Sequence, residues 1–394
     1  MDIQQSDMLQ PQDWSFPVPI AYGPGRLMET GQRCVTLGIA NPLIVTDAGS
    51  VNLPFIARLQ STLSEAGLNH GLYGDVSPNP RDSDVDAANR AFRQGGHDAV
   101  IAIGGGSAMD GGKLICLTVN SGKDLWDFEF ERPAPEIPDA SVFPKLITIP
   151  TTAGTGAETE STAMVTDTAK GMKYCVWHEA LKPALAVLDP ELTLGLPSHL
   201  TAWTGADALT HALEAYLVPG FNPLCDGMAL EALALISKWL PVAVEHPENL
   251  EARAGMLVGS CLAGIGFLKG LGNVHAISHM IGAEFDTQHG LTNAIVLPVV
   301  LADNLGWVPD KTALITQVMW LDDQSKESVL RHINYLLDRI GIPQTLGEIG
   351  VPGDCVDRIA EKALQDSAAG TNTYVSSLEE MKRLVKTAIE SGRQ

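Results

Sequence analysis

The chain has 394 residues, 45% of them hydrophobic, a length that suggests about two or three domains with sizeable cores. Its formal net charge is -21, which disfavours nucleic acid, because a phosphate-binding surface needs clustered Lys and Arg, and disfavours an anionic membrane surface. The acidic balance is read as keeping the protein soluble.

The N-terminal stretch MDIQQSDMLQPQDWSFPVPI has no basic start followed by an apolar core, so no signal peptide is expected. PLIVTD (42–47) predicts a strand, and residues 52–66 a helix. HDAVIAIGGGS (97–107) predicts a second strand ending in glycines. KLITIPTTAGTG (145–156) predicts a third, ending in small polar residues, and PALAVLD (183–189) a fourth. Strand, helix, strand in this spacing implies parallel βαβ units, and continuous apolar runs are what buried parallel strands need.

After about Leu196 the character changes. Residues 198–300 are rich in Ala, Leu and Gly with helical periodicity. PSHLTAWTGADALTHALEAYL reads as Pro, a Ser N-cap, then a helix, and SSLEEMKRLVKTAIESG (376–392) as another helix. The uncharged run Ala254 to Leu268 is too short to span a bilayer and predicts a buried, closely packed helix. The expected organisation is an α/β domain over 1–193 and an all-helical domain over 194–394, with a site in the cleft between them. Six cysteines (Cys34, Cys116, Cys175, Cys225, Cys261 and Cys355) form no CxxC pair. They fit small buried hydrophobes in a reducing cytoplasm.

Three features at the strand ends point to a nucleotide. AIGGGSAMDGGK (102–113) should open a helix whose free N–H groups favour a pyrophosphate, with Gly104, Gly105 and Gly106 allowing close approach. It is neither a Walker A loop nor GxGxxG. PTTAGTGAE (150–158) adds the hydroxyls of Thr151 and Thr152, with Gly154 and Gly156 giving clearance. Two such loops at carboxyl ends of parallel strands are what a nucleotide crevice needs. Asp47 ends its strand where a carboxylate can accept hydrogen bonds from a ribose diol and repel a 2′-phosphate; the plainer reading is a turn or N-cap residue.

An Asp and four His fall in two otherwise apolar segments, GADALTHALEAY (205–216) and NVHAISHMIGAEFDTQHG (273–290). Asp207 and His211 are i, i+4 on one helical face, and so are His275 and His279 on another. His289 follows in a Gly-containing turn. A buried Asp beside a His must be paired or bind a metal, and carboxylate plus imidazole suits Fe(II), Zn(II), Mn(II) or Co(II). Spacing leaves open which three or four residues ligate. HxxxH taken literally would put His279 on the metal and leave His289 over.

Together GGGSAMDGGK, PTTAGTGAE, LDPELTLGLP, GADALTHALEAY and VHAISHMIGAEFDTQHGLTNAIVLP resemble the iron-containing (group III) alcohol dehydrogenase family, from about Tyr22 to beyond Asn304. The resemblance implies a Rossmann-like α/β domain followed by an all-α domain, the fold shared with dehydroquinate synthase. It implies metal ligands at Asp207, His211, His275 and His289, with His279 beside the metal as a catalytic residue. It implies NAD contacts at Gly104, Gly105, Gly106, Ser107, Asp110, Thr151 and Thr152, further contacts at Asn79, Lys173 and Leu192, and NAD rather than NADP from Asp47. Ala157 stands where Ser is common, Met280 where Pro is usual, and Val299 and Val300 where an aromatic is frequent. Met280 and the two Val are expected near the substrate.

The implied reaction is reversible hydride transfer between a small alcohol and its aldehyde or ketone and NAD(H), with Fe(II) or alternatively Zn(II) as Lewis acid. Residues 191–300 contain only Lys238, Arg253 and Lys269 as fixed cations, which argues for a neutral substrate. The rival readings are a zinc-dependent polyol dehydrogenase of the glycerol type and a dehydroquinate synthase-like cyclase. The resemblance also implies a homodimer or larger homo-oligomer.

Overall fold

The computed structural model describes residues 12–14 and 17–393; most of the N-terminal stretch read against a signal peptide lies outside them. The chain divides into two compact units. One holds the residues up to Thr152 together with Ala157–Gly195; the other holds Ala153–Gly156 and everything from Leu196.

The first unit contains strands β1 (Gln12–Trp14), β2 (Ile20–Tyr22), β3 (Pro42–Asp47), β4 (Gly71–Val76), β5 (Ala99–Gly104), β6 (Lys145–Pro150), β7 (Thr162–Asp167), β8 (Met172–Trp177) and β9 (Leu185–Leu188). Seven of them form one sheet in the order β1-β2-β9-β6-β5-β3-β4, and β7 and β8 form a separate hairpin. Only the β1–β2 pair in the large sheet is antiparallel. The connecting helices include α1 (Thr30–Thr36), α2 (Pro54–Glu65), α3 (Asp82–Gln94) and α4 (Gly106–Thr118).

Adjacent residues on a strand face opposite sides, and here both sides are covered. Leu43, Val45, Val100 and Ala102 pack with Phe92 of α3 and Leu114 of α4. Ile44, Ile101, Ile103, Ile147 and Val187 pack with Phe55, Leu59 and Leu63 of α2. That is why these strands are continuous apolar runs. Truncating a fully buried residue such as Ile101 to Ala would cost about 2–5 kcal/mol. β4, sequence GLYGDV, sits at the sheet edge and is half exposed. Its two glycines and Asp give it no apolar run, so its sequence does not predict a strand.

Two neighbours flank β3: β4, which follows it in sequence, and β5, which follows β4. The chain therefore reverses direction across the sheet between β3 and β5. Such a switch point leaves a crevice at the carboxyl ends of the strands.

The second unit is helical: α5 (Ser198–Leu217), α6 (Pro223–Glu245), α7 (Leu250–Gly266), α8 (Asn273–Phe285), α9 (His289–Asn304), α10 (Pro309–Val318), α11 (Lys326–Arg339), α12 (Val356–Ala363), α13 (Ser367–Gly370) and α14 (Leu378–Glu390). Ser198 is the first residue of α5 rather than its cap. Pro197 holds the cap position in extended backbone, and its carbonyl accepts the Thr201 N–H. A proline has no N–H to leave unsatisfied there. His289 likewise opens α9 instead of lying in a turn, because the Gln288 side chain accepts the Leu291 N–H and starts the helix.

α6 and the stretch Leu250–Lys269 are long and apolar enough to cross a membrane, yet 56% and 72% of their most apolar windows are buried inside the structure. Glycine makes the close packing possible: a Cβ on Gly255 of α7 would lie 2.2 Å from the Trp239 ring of α6. The expectation of a buried, closely packed helix near Ala254–Leu268 is met.

Candidate active site

In the first unit, the carboxyl ends of β3, β5 and β6 lie side by side. Gly104 pairs with Pro150 in register, and its carbonyl accepts the Thr151 N–H at 2.8 Å. A Cβ on Gly104 would meet Ala108 Cβ at 2.7 Å and Asp47 Oδ2 at 3.2 Å, and its φ of +146° is one that side chains rarely adopt. Glycine is required here by conformation and by space. Gly105 lies beside Thr152. α4 starts at Gly106, and the first backbone donors returning to Gly105 O are Ala108 and Met109. The N–H groups of Gly106 and Ser107 thus sit at the open, positive end of the helix.

Asp47 does two things. Its Oδ1 accepts the N–H groups of Gly49 and Ser50 at 2.9 and 3.0 Å, the turn role. Its Oδ2 faces Gly104 at the switch point. The Ser107 hydroxyl donates to Pro78 O, which ties the helix end to the turn carrying Asn79.

Asp110, Lys173 and Leu192 are placed differently. Asp110 is one turn into α4 beside Met164 of the hairpin. Burial pushes its carboxyl up to about 6, opposed by Lys113 and by Lys173 on β8. Leu192 is 6% exposed and packs in the core with Ile103 and Val187. Gly154 and Gly156 do not give clearance to a ligand. A Cβ on Gly154 would strike Thr204 of α5 at 2.6 Å, and one on Gly156 would strike Gly264 of α7 at 2.6 Å. Their missing side chains admit the chain's own helices.

In the second unit, Asp207, His211, His275 and His289 each offer a ligand atom, and those atoms all lie within 4.8 Å of one another. Asp207 Oδ1 is 3.8 Å from both His211 Nε2 and His289 Nε2. The geometry follows from the helices. Asp207 and His211 share one face of α5, His275 comes from α8, and His289 from the start of α9. Gly290 lets α9 approach: a Cβ there would sit 2.4 Å from Trp203 O and 3.0 Å from Asp207 Cβ.

The rings are oriented from behind. His211 Nδ1 is 3.3 Å from Gly154 O, so its Nε2 faces the cluster. His275 Nδ1 is 2.6 Å from Glu214 Oε2, both side chains being buried. A carboxylate behind an imidazole fixes the tautomer and raises its basicity toward a metal. Burial lowers His211 to about 4, so at neutral pH it offers a lone pair. His279 lies outside the four: its ring stacks on His289 with centroids 5.4 Å apart, and its Nδ1 meets Asp366 Oδ2 at 2.9 Å.

Asn293 tests whether a cation fits. It is fully buried one turn beyond His289. Its Nδ2 lies 2.7 Å from Asp207 Oδ1 and 3.1 Å from both His275 Nε2 and His289 Nε2. Three converging lone pairs thus face the positive end of an amide, as they would a cation, while Asn293 Oδ1 is among the buried polar atoms with no hydrogen-bond partner. One carboxylate and three imidazoles suit a borderline divalent metal such as Fe(II) or Zn(II). The residues fit.

Sequence reasoning did not single out Glu214, Asn293 or Asp366. Glu214 is one turn beyond His211 and Asn293 one turn beyond His289, so helical spacing could have found both. Asp366 has no local signal. Met280, Val299 and Val300 are all buried on α8 and α9.

The signature described as iron-containing alcohol dehydrogenase matches residues 17–190, and that of the family's C-terminal part matches residues 201–389. The NAD-dependent methanol dehydrogenase of Bacillus methanolicus is 34% identical over 95% of this chain and 99% of its own. The 1,3-propanediol dehydrogenase of Klebsiella pneumoniae is 34% identical over 95% and 98%. A crystal structure of 1,3-propanediol oxidoreductase superimposes with a TM-score of 0.90 at 33% identity, covering 97% of this chain and all of that one. Both halves of the sequence carry the family's signatures and the fold is shared along nearly its whole length, so the chain belongs to the iron-containing alcohol dehydrogenase family.

Proposed function

We propose that this enzyme interconverts a small, uncharged alcohol and its carbonyl compound with NAD(H), using iron held by Asp207, His211, His275 and His289. The convergence of those four ligand atoms within 4.8 Å, backed by Glu214 and Gly154 O, carries the reading. When bound, the metal supplies Lewis acidity toward the alcohol oxygen and the nicotinamide accepts the hydride. The balance is alcohol plus NAD⁺ giving carbonyl, NADH and one proton.

The protein's own groups do the rest. Gly104 to Ser107, Thr151 and Thr152 receive the pyrophosphate at the α4 N-terminus. Asp47 Oδ2 accepts from the ribose diol and disfavours a 2′-phosphate. Asn79, Lys173, Asp110 and Leu192 are further candidates for this cofactor. His279 takes the alcohol proton.

A neutral substrate is supported by the fate of the three cations in residues 191–300. Arg253 is buried and donates to Thr201 Oγ1, Pro247 O and Leu196 O. Lys269 pairs with Asp226, and Lys238 lies over the Trp239 ring. Each of these three is engaged elsewhere, which supports a substrate without a phosphate or carboxylate. The relatives named for methanol and 1,3-propanediol agree with a short alcohol.

The protein is proposed to work in the cytoplasm, in keeping with its six free cysteines. It is proposed to form a homodimer or larger assembly, for which exposed Phe221, Leu224, Trp307 and Val375 offer apolar surface.

The test is NADH formation by protein purified without oxygen, stripped of metal and reloaded with Fe(II) or Zn(II), across short alcohols and polyols. Iron-dependent turnover of a simple alcohol is expected. Turnover only with zinc and vicinal diols would replace this reading with a polyol dehydrogenase.

A further inference from the structure

Asp366 comes from the far end of the chain, in the turn between α12 and α13. Its two carboxylate oxygens have separate tasks. Oδ1 accepts the Ala368 N–H at 2.9 Å and caps α13. Oδ2 meets His279 Nδ1 at 2.9 Å. Both side chains are nearly closed to solvent, at 9% exposure for His279 and 6% for Asp366. The cap alone would need one oxygen; the second is spent on the imidazole stacked against His289.

We propose that Asp366 is a positioning residue for His279, fixing its tautomer and its ring so that it accepts the substrate proton. An ionised carboxylate only accepts, so His279 Nδ1 carries the hydrogen. Nε2 is then left with its lone pair. The carboxylate behind the ring also stabilises the imidazolium that forms when Nε2 takes the proton, as the third member of a nucleophile–base–orienter set does. No new oxidant or reductant is involved: the proton leaves the alcohol oxygen for Nε2, and the hydride goes to NAD⁺ as before. The inference rests on the assignment of His279 as proton acceptor made above.

Asp366→Asn separates the two tasks. An Asn oxygen still caps α13, whereas its NH₂ faces Nδ1 and forces that nitrogen to accept, moving the hydrogen to Nε2. In the iron-loaded enzyme, Asp366→Asn and Asp366→Ala should both lower kcat by about 10- to 100-fold, within the range of an acid–base contribution. Bound metal and the KM for NAD should stay at wild-type levels. His279→Ala should lower kcat at least as far. Two-bond ¹H–¹⁵N NMR of ¹⁵N-histidine-labelled, metal-free protein gives a reading independent of turnover: His279 protonated at Nδ1 in the wild type and at Nε2 in Asp366→Asn.

Wild-type kcat and an unchanged tautomer in Asp366→Asn, with His279→Ala inactive, would show a helix cap only and overturn the inference. Wild-type turnover in His279→Ala would instead overturn the assignment of His279 on which it rests.

Discussion

Glu214 joins a helix end to His275 of the candidate metal cluster. Its Oε2 lies 2.6 Å from His275 Nδ1, and the same carboxylate accepts the N–H groups of Gly272 and Val274 at 3.1 and 2.8 Å, where α8 begins. A negative charge at a helix N-terminus is favourable, so the cap and the imidazole contact reinforce one another. Glu214→Gln keeps an oxygen for the cap but presents a mismatched partner to His275. Metal affinity should fall about 10- to 100-fold, the usual effect of losing such a partner. Competition against a graded chelator measures it, and an affinity equal to wild type would dismiss the role.

Asn293 makes a prediction of a different kind. Without metal, its amide is the buried donor for Asp207 Oδ1 at 2.7 Å. Asn293→Ala removes that donor and leaves a carboxylate oxygen unsatisfied, at a cost of about 1.5–3 kcal/mol for a charged hydrogen bond. A bound cation would engage the same lone pair, so the destabilisation should shrink once Fe(II) or Zn(II) is present. Chemical unfolding of stripped and reloaded protein checks this. An equal loss in both states would mean that Asn293 does not face the ion.

Much of this was legible because local pattern and burial agree. AVIAIG is apolar throughout and is buried on every residue of β5; Asp207 and His211 are i, i+4 on α5 and face one cluster. Spacing alone could not choose between His279 and His289, since both come near His275. The difference lies in the fold, which brings a ligand atom of His289 within 4.8 Å of those of Asp207, His211 and His275 and pairs His279 Nδ1 instead with Asp366, 87 positions along the chain. No period or motif in one sequence encodes such a pairing. β4 escaped for another reason: an edge strand is half solvated and needs no apolar run. Gly154 and Gly156 looked like ligand clearance because the sequence shows a missing side chain but not what fills the space.

Gly104→Ala tests the loop at the switch point. The substitution forces φ of +146° on a residue with a Cβ and drives that Cβ to 2.7 Å from Ala108. Strain of about 1–3 kcal/mol is expected, with α4 displaced and NADH affinity reduced at least about tenfold, a change worth 1.4 kcal/mol. Gly105→Ala is the control for folded-state strain, since φ there is -80° and the nearest atom to a Cβ is Thr152 Cγ2 at 3.6 Å. Thermal unfolding of both variants provides the comparison, and NADH fluorescence titration of Gly104→Ala measures the affinity. Equal losses of stability in the two would reject the steric account.

Glu160 predicts a pH dependence of stability in the first unit. The residue is 3% exposed, and burial raises its carboxyl from 4.5 to about 8; Lys113 and the Thr162 hydroxyl oppose the rise, and Asp110 and Glu158 add to it. A carboxyl whose pKa rises on folding binds its proton more tightly in the folded state. Its contribution is therefore fully present below the unfolded value of 4.5 and is lost as pH climbs through about 8. One proton sets a limiting slope of about 1.4 kcal/mol per pH unit. Glu160→Gln keeps an acceptor for Thr162 Oγ1, which lies 2.6 Å from Glu160 Oε2, but has no proton to lose. Its unfolding midpoint should vary less between pH 5.5 and pH 7.5, both values lying inside the window about 4.5 to about 8, and should exceed wild type at the upper end. Parallel curves for the two proteins would show that Glu160 holds the same protonation state folded and unfolded, and that Lys113 neutralises it fully.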